Sequence, residues 1–156
     1  MIEFFVPTEP QGKKSPVAAR FGNHTRILKS AKTRRYEEMV TLFASQAMAG
    51  AAPIDEAVTI AVTAVLSVPA SWSQRKRQQA LSGLIIPTRK PDGSNIVKSI
   101  EDGCKGVVFR DDALVSDGSW SKRYGATPGV QVRIWPTVPA CQAVDGVAPQ
   151  LDLEAA

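Results

Sequence analysis

The chain reads as a single α/β domain of the α+β kind, with a mixed, partly antiparallel sheet and about three helices. Three observations carry that reading. The 156 residues are 44% hydrophobic and 22% charged, ordinary proportions for one globular domain long enough to bury a core. Short β-branched runs alternate with stretches of helical apolar spacing, and no internal repeat is visible. Pro and Gly punctuate the boundaries between them. The domain is expected to span residues 1–136, and residues 137–156, rich in Ala, Val, Pro and Gln and acidic, are expected to form a loosely held tail.

Taken in order, Ile2 to Val6 is a short apolar run stopped by Pro7 and Pro10, which reads as a strand. Val17–Phe21 and Thr25–Leu28 flank Gly22-Asn23, a hairpin signal. Thr33 is expected to cap a helix, with Glu37 near the position a capping box wants. Tyr36, Met39, Val40, Phe43, Ala44 and Ala47 then recur at helical spacing until Gly50. Glu56–Val68 is β-branched and apolar on both faces in places, which predicts a central strand closed by Pro69. Ser71-Trp72-Ser73 opens a second helix that carries Arg75, Lys76 and Arg77 and ends near Ser82, with Trp72 assigned to the core. Ser94 is expected to cap a third helix running to about Cys104, with Ile96, Val97 and Ile100 as its buried stripe. Ala113–Val115 begins a strand, Asp117-Gly118 supplies a turn before Trp120–Tyr124, and Val130–Trp135 alternates as a final strand.

The net charge is +4, but it is unevenly spread. Gln11 to Arg35 holds many Lys and Arg and no acid, whereas Thr137 to the end holds Asp145, Asp152 and Glu154 and no base. The body is therefore more basic than the total, which favours an anionic partner such as nucleic acid; a solvated basic face is the plain alternative. Cys104 and Cys141 lack a Cys-x-x-Cys spacing and His24 is the single histidine, too few ligands for a zinc site. Reduced thiols are expected, one disulfide being the alternative. Met1–Val6 is too short and too acidic for a signal peptide, and the run from Ala57 to Val68 is too short to span a bilayer. A soluble, cytoplasmic protein is expected.

Acidic side chains inside this basic chain concentrate in Arg89–Lys98 and at Asp111-Asp112. Carboxylates weaken a polyanion-binding face unless they hold a cation, which points to a metal-dependent enzyme acting on nucleic acid. Asp92 sits on a Pro-Asp-Gly turn before the third helix, and Asp112 ends the connection leaving it, so helix packing can bring both to one cation. Oxygen ligands suit magnesium, and Lys98, one turn into the helix, is placed to stabilise charge on a reacting phosphate. Spacing alone leaves plainer readings open: ordinary turn acids, and an exposed Lys98–Asp102 ion pair.

The order of these pieces resembles the RusA family of Holliday junction resolvases, crossover junction endodeoxyribonucleases of bacteria, phages and prophages. The resemblance runs through Phe5-Val6-Pro7, Gly12-Lys13-Lys14, Lys32–Glu37 and Pro69–Ser73. It is most specific in Lys90-Pro91-Asp92, Asn95–Lys98, Asp102 and Gly106–Asp112, and closes with Lys122–Gly125 and Gly129–Ile134. It implies a RusA-like fold and a magnesium-dependent hydrolase, a homodimer that nicks four-way junctions symmetrically during DNA recombination and repair. By that resemblance Asp92, Lys98 and Asp112 are catalytic, Asp92, Asp112 and Asp111 bind metal, and Asn95 and Asp102 support them. Ser94 stands where the family has a second aspartate, and a hydroxyl is a poor magnesium ligand beside a carboxylate. A junction-binding relative that no longer cuts, or a non-enzymatic basic interaction domain, are the rival readings. Lys13, Lys14, Arg20, Arg34, Arg35, Arg75, Lys76, Arg77 and Lys122 are the expected phosphate contacts.

Overall fold

The computed structural model describes residues 1–13, 17–21, 24–28 and 30–138, the segments 17–21 and 24–28 by their backbone. In chain order the elements are β1 (Ile2–Val6), β2 (Val17–Phe21), β3 (His24–Leu28), α1 (Ala31–Met48), β4 (Val58–Ser67), α2 (Gln74–Leu81), α3 (Gly93–Cys104), β5 (Val115–Gly125) and β6 (Gly129–Pro136). They make one α+β domain around a four-stranded sheet of order β1-β6-β4-β5. β4 pairs antiparallel with β6 and parallel with β5, and β6 pairs antiparallel with β1, so the sheet is mixed. A parallel neighbour needs a crossover, and the chain between β4 and β5 provides it through α2 and α3. β2 and β3 form a separate hairpin in which Phe21 faces His24, while Gly22-Asn23 between them lies outside the described residues.

Val58, Ile60, Val62, Ala64 and Leu66 of β4 are buried, as are Val130, Val132 and Ile134 of β6, each set spaced by two as a strand requires. Against this face lie Tyr36, Val40, Ala44 and Met48 of α1 and Ile96, Ile100 and Cys104 of α3, each set spaced by four. Each fully buried aliphatic side chain contributes about 1.5–3 kcal/mol. The two helices meet at Gly103, where a Cβ would stand 2.7 Å from Val40 Cβ, and Thr41 Oγ1 donates to the Gly103 carbonyl at 2.8 Å. Cys104 is a free, buried thiol whose pKa is pushed up by desolvation. Cys141 and the expected acidic tail fall outside the described residues beyond Val138.

Four local expectations are corrected. Helix α1 is capped by Ser30, three residues before Thr33: Ser30 Oγ accepts the Thr33 amide at 3.1 Å, and Thr33 is buried in the first turn with its own hydroxyl 2.8 Å from Ser30 Oγ. Helix α3 begins at Gly93 with Asp92 as its cap, leaving Ser94 exposed inside the first turn. Asp117-Gly118 lies within one continuous β5, at a register shift where Val58 and Thr59 face Val115 and Asp117; a bulge takes up the extra residue. Lys98 and Asp102 do not pair with each other but with other partners. Trp72 is half-buried against the core, its ring edge-on to Tyr124 with centroids 5.3 Å apart.

Candidate active site

Helix α3 carries the site, and its two ends differ. At the N-terminal end, Asp92 has extended backbone angles and an exposed carboxylate that makes no capping hydrogen bond. Its nearest partner is Asn95 Nδ2, at 3.4 Å. The helix dipole favours a negative charge there, and among the described residues Asn95 is the one side chain that bonds this carboxylate. The segment before β2 crosses this end: the Lys13 amide donates to the Asn95 carbonyl at 2.9 Å, and a Cβ on Gly12 would stand 3.1 Å from Asn95 Cβ. Between them opens a cavity of about 620 Å³ lined by Asp92, Asn95, Lys13, Lys32, Lys90 and Glu9, among others. Glu9 is itself tied to Ser67 through the backbone amide and the hydroxyl.

The C-terminal half is an ion-pair network. Lys98, Glu101 and Lys105 fall three, four and seven residues apart and so share one helix face. Lys98 Nζ reaches Asp112 Oδ2 at 2.6 Å and Glu101 Oε2 at 3.2 Å, while Lys105 Nζ reaches Asp112 Oδ1 at 2.9 Å and Asp111 Oδ2 at 2.6 Å. The loop after α3 turns back through Gly106, whose φ of 76° suits glycine, and the Asp111 side chain caps the short helical turn Asp112–Leu114. The Lys98 ammonium, then that of Lys105, holds the Asp112 carboxyl well below the usual carboxylate range. Lys105 and the Ala113 amide lower Asp111 likewise. In return Asp112 raises the Lys98 pKa, and Asp111 with Asp112 raises that of Lys105. Lys98 is thus a fixed cation at neutral pH, not a base.

The expected phosphate contacts divide. Arg35, Arg75 and Arg77 are exposed, and Arg34 is exposed beside Glu38. Lys76 stacks on Trp72 with Nζ 4.2 Å from the ring centre. Lys13 pairs with Asp102 at 2.5 Å, which fastens the crossing segment to α3. Lys122 donates to the Arg89 and Pro91 carbonyls at 3.1 and 3.3 Å, holding the approach to Asp92. The side chains of Lys14 and Arg20 lie outside the described residues. Sequence reasoning missed Lys32, Lys90 and Lys105. Lys90 stands in the motif and Lys32 in the basic run, but only the folded chain sets both beside Asp92.

Among the described residues no three His, Cys, Asp or Glu side chains gather into a metal-binding group. Magnesium, however, takes one or two carboxylates and completes its shell with water and substrate phosphate. An exposed carboxylate beside a lysine-lined cavity fits that mode at Asp92, whereas the expected meeting of Asp92 and Asp112 at one cation is not seen: both Asp112 oxygens are taken by Lys98 and Lys105 towards the other end of α3.

Residues 7–135 match the family model described as Endodeoxyribonuclease RusA, and the chain belongs to that endodeoxyribonuclease family. It is also similar to the Uncharacterized protein YqaN of Bacillus subtilis (strain 168), 32% identical over 138 residues that cover 85% of this chain and 94% of the relative. Among the described residues no helix is long and apolar enough to cross a membrane.

Proposed function

We propose that the protein is a structure-specific endodeoxyribonuclease that resolves four-way DNA junctions by paired nicks, as a magnesium-dependent homodimer. Its nuclease unit is residues 1–136, with 137–156 an acidic appendage, and it works in a bacterial cytoplasm on host, phage or prophage DNA. The observation that carries this reading is the exposed Asp92 carboxylate at the edge of the cavity lined by Lys13, Lys32 and Lys90. An exposed acid set among cations suits a centre that handles phosphodiesters.

A magnesium ion held by Asp92 with a substrate phosphate would supply charge neutralisation and Lewis-acid polarisation at the phosphodiester, while Asp112, expected from the sequence as a second ligand, is engaged by Lys98 and Lys105. Lys32 and Lys90 of the cavity bind the strand through its phosphates, Lys13 being engaged by Asp102. Asn95 orients Asp92 through their hydrogen bond. Lys98, kept protonated by Asp112, donates to the negative charge that grows on the phosphate oxygens in the transition state. Twofold symmetry of the dimer matches the pseudo-symmetry of the junction and yields two equivalent incisions.

One second reading has an observation in its favour. Both carboxylate oxygens of Asp112 are held by lysines, and Ser94 offers a neutral oxygen in the first turn. A junction-binding protein that does not cut accounts for both. Cleavage of a labelled four-way junction in magnesium by the natural chain, beside Ser94→Asp, separates the readings. Paired nicks by the natural chain support the nuclease; tight, salt-sensitive junction binding with no nick by either chain supports the binder.

A further inference from the structure

The chain has three tryptophans, and they are used differently. Trp72 packs against the core with Tyr124 at its edge and Lys76 over its ring. Trp135 is half-buried in β6. Trp120, on the edge strand β5, keeps 53% of its surface in solvent. It is not a loosely hung side chain. Its six-membered ring rests on Gly93, so close that any Cβ there would overlap the ring. Gly93 directly follows Asp92, so the indole is seated one residue along the chain from that carboxylate, where it lines a separate cavity with Val97, Glu101 and Asp117.

Two residues along the same face of β5, Lys122 donates to the Arg89 and Pro91 carbonyls. The strand and the segment that delivers Asp92 are therefore locked together, and the ring is braced by backbone on one side. Lys90, exposed, lies in the segment that Lys122 holds, and the Arg89 guanidinium of that segment sits over the Trp72 ring, 5.5 Å from its centre. A rigid, half-open aromatic ring, with the Lys122 ammonium held at the Pro91 carbonyl beside the segment it rests on, offers what a nucleobase needs: a π surface for stacking and phosphate-neutralising charge on the same strand.

We propose that Trp120 is a stacking platform for a nucleobase of the strand whose phosphate lies at Asp92, a positioning role that rests on the junction-directed reading above. Bases flanking a crossover have lost a stacking neighbour and are the ones most readily offered to such a surface. Gly93 then has a second purpose beyond opening the helix: it leaves room for the ring that positions the strand.

The test uses the full chain, Trp120→Phe and Trp120→Ala with a four-way junction and with an uninterrupted duplex of equal length. A fluorescent adenine analogue, quenched by stacking, is placed beside the crossover. The expected result is quenching by the natural chain, loss of that quenching with roughly tenfold weaker junction binding in Trp120→Ala, and retention of most of both in Trp120→Phe. Duplex affinity and the salt slope should be the same in all three, because no phosphate contact is removed. Natural junction affinity and quenching in Trp120→Ala would overturn the platform and leave the junction reading standing. Equal loss on duplex and junction, or a change in solution mass, would assign Trp120 to folding or to contact between copies, and overturn it also. Failure of the natural chain to bind junctions would remove both readings.

Discussion

The two ends of α3 hold the same kinds of side chain in opposite states. At the N-terminal end Asp92 is exposed, with a single 3.4 Å contact to Asn95, and faces an open cavity. At the other end Asp111 and Asp112 are bound by Lys98 and Lys105 at 2.6–2.9 Å. One end is ready to receive a ligand; the other is already neutralised by its own cations. Because the acids of the network are depressed, their pairing is complete above the ordinary carboxylate pKa of about 4. It is lost only as the pH falls through the lower folded values. At neutral pH the network is therefore a fixed frame, and the open end is where chemistry depends on what arrives.

The sharpest way to break this contrast is to neutralise one acid from each end. Asp92→Asn and Asp112→Asn are each expected to lower junction cleavage by about a hundredfold or more. Gel-shift affinity for the junction should hold or rise, since a negative charge has left a basic surface. If Asp112→Asn cleaves normally while Asp92→Asn does not, the C-terminal end is only a scaffold. Next comes Lys98. Its raised pKa makes it a cation throughout the neutral range, so Lys98→Arg should keep part of the activity and Lys98→Gln lose about tenfold or more in kcat. The pH profiles of the natural chain and of Lys98→Arg should coincide in shape between pH 6 and about 9; a limb in the natural chain that Lys98→Arg lacks would make Lys98 a base after all.

Where α3 sits in the fold depends on its contact with α1, and Gly103 sets how close the two helices come. Alanine there adds helix propensity, roughly 1 kcal/mol in its favour. It also drives a methyl to 2.7 Å from Val40 Cβ and 3.0 Å from the Glu37 carbonyl, neither the tip of a flexible chain. The clash, about 1–3 kcal/mol, should outweigh the propensity and leave Gly103→Ala net destabilised, read as a lower denaturation midpoint. Unchanged or increased stability would mean that α1 and α3 can slide apart freely.

Much of this contrast could be read before folding, and the part that could not has a physical reason. The central strand around Val58–Ser67 was legible because a strand buried in mid-sheet must be β-branched and apolar. Helix α3 was legible from Ile96 and Ile100. Its cap was not: Asp and Ser are both good caps, and only tertiary contact decides that Gly93 must be helical beneath Trp120. The Asp117-Gly118 pair reads as a turn by composition, yet β4 extends the strand through it and a bulge absorbs the surplus. Lys105 escaped because an ion pair across the α3–β5 connection depends on the path of the loop at Gly106. Pattern reports what each segment prefers; pairings between segments are decided by where the chain turns.

Ser94 tests the contrast most gently, because it alters the open end without removing anything. The first turn of α3 carries no acid, and Ser94 is exposed there, beyond the cap. A carboxylate at that position interacts favourably with the helix N-terminus, by about 0.3–1 kcal/mol, so Ser94→Asp should not destabilise the fold. It also adds an anionic oxygen donor one turn from Lys98, at an end where a bound cation would otherwise have Asp92 alone. Cleavage at limiting magnesium should therefore rise severalfold and the magnesium needed for half-maximal rate should fall. Junction affinity without metal should drop slightly, because a negative charge now meets the DNA backbone. A fall in cleavage with unchanged magnesium demand would mean that the serine hydroxyl has its own use at this end, as a hydrogen-bond donor to the substrate.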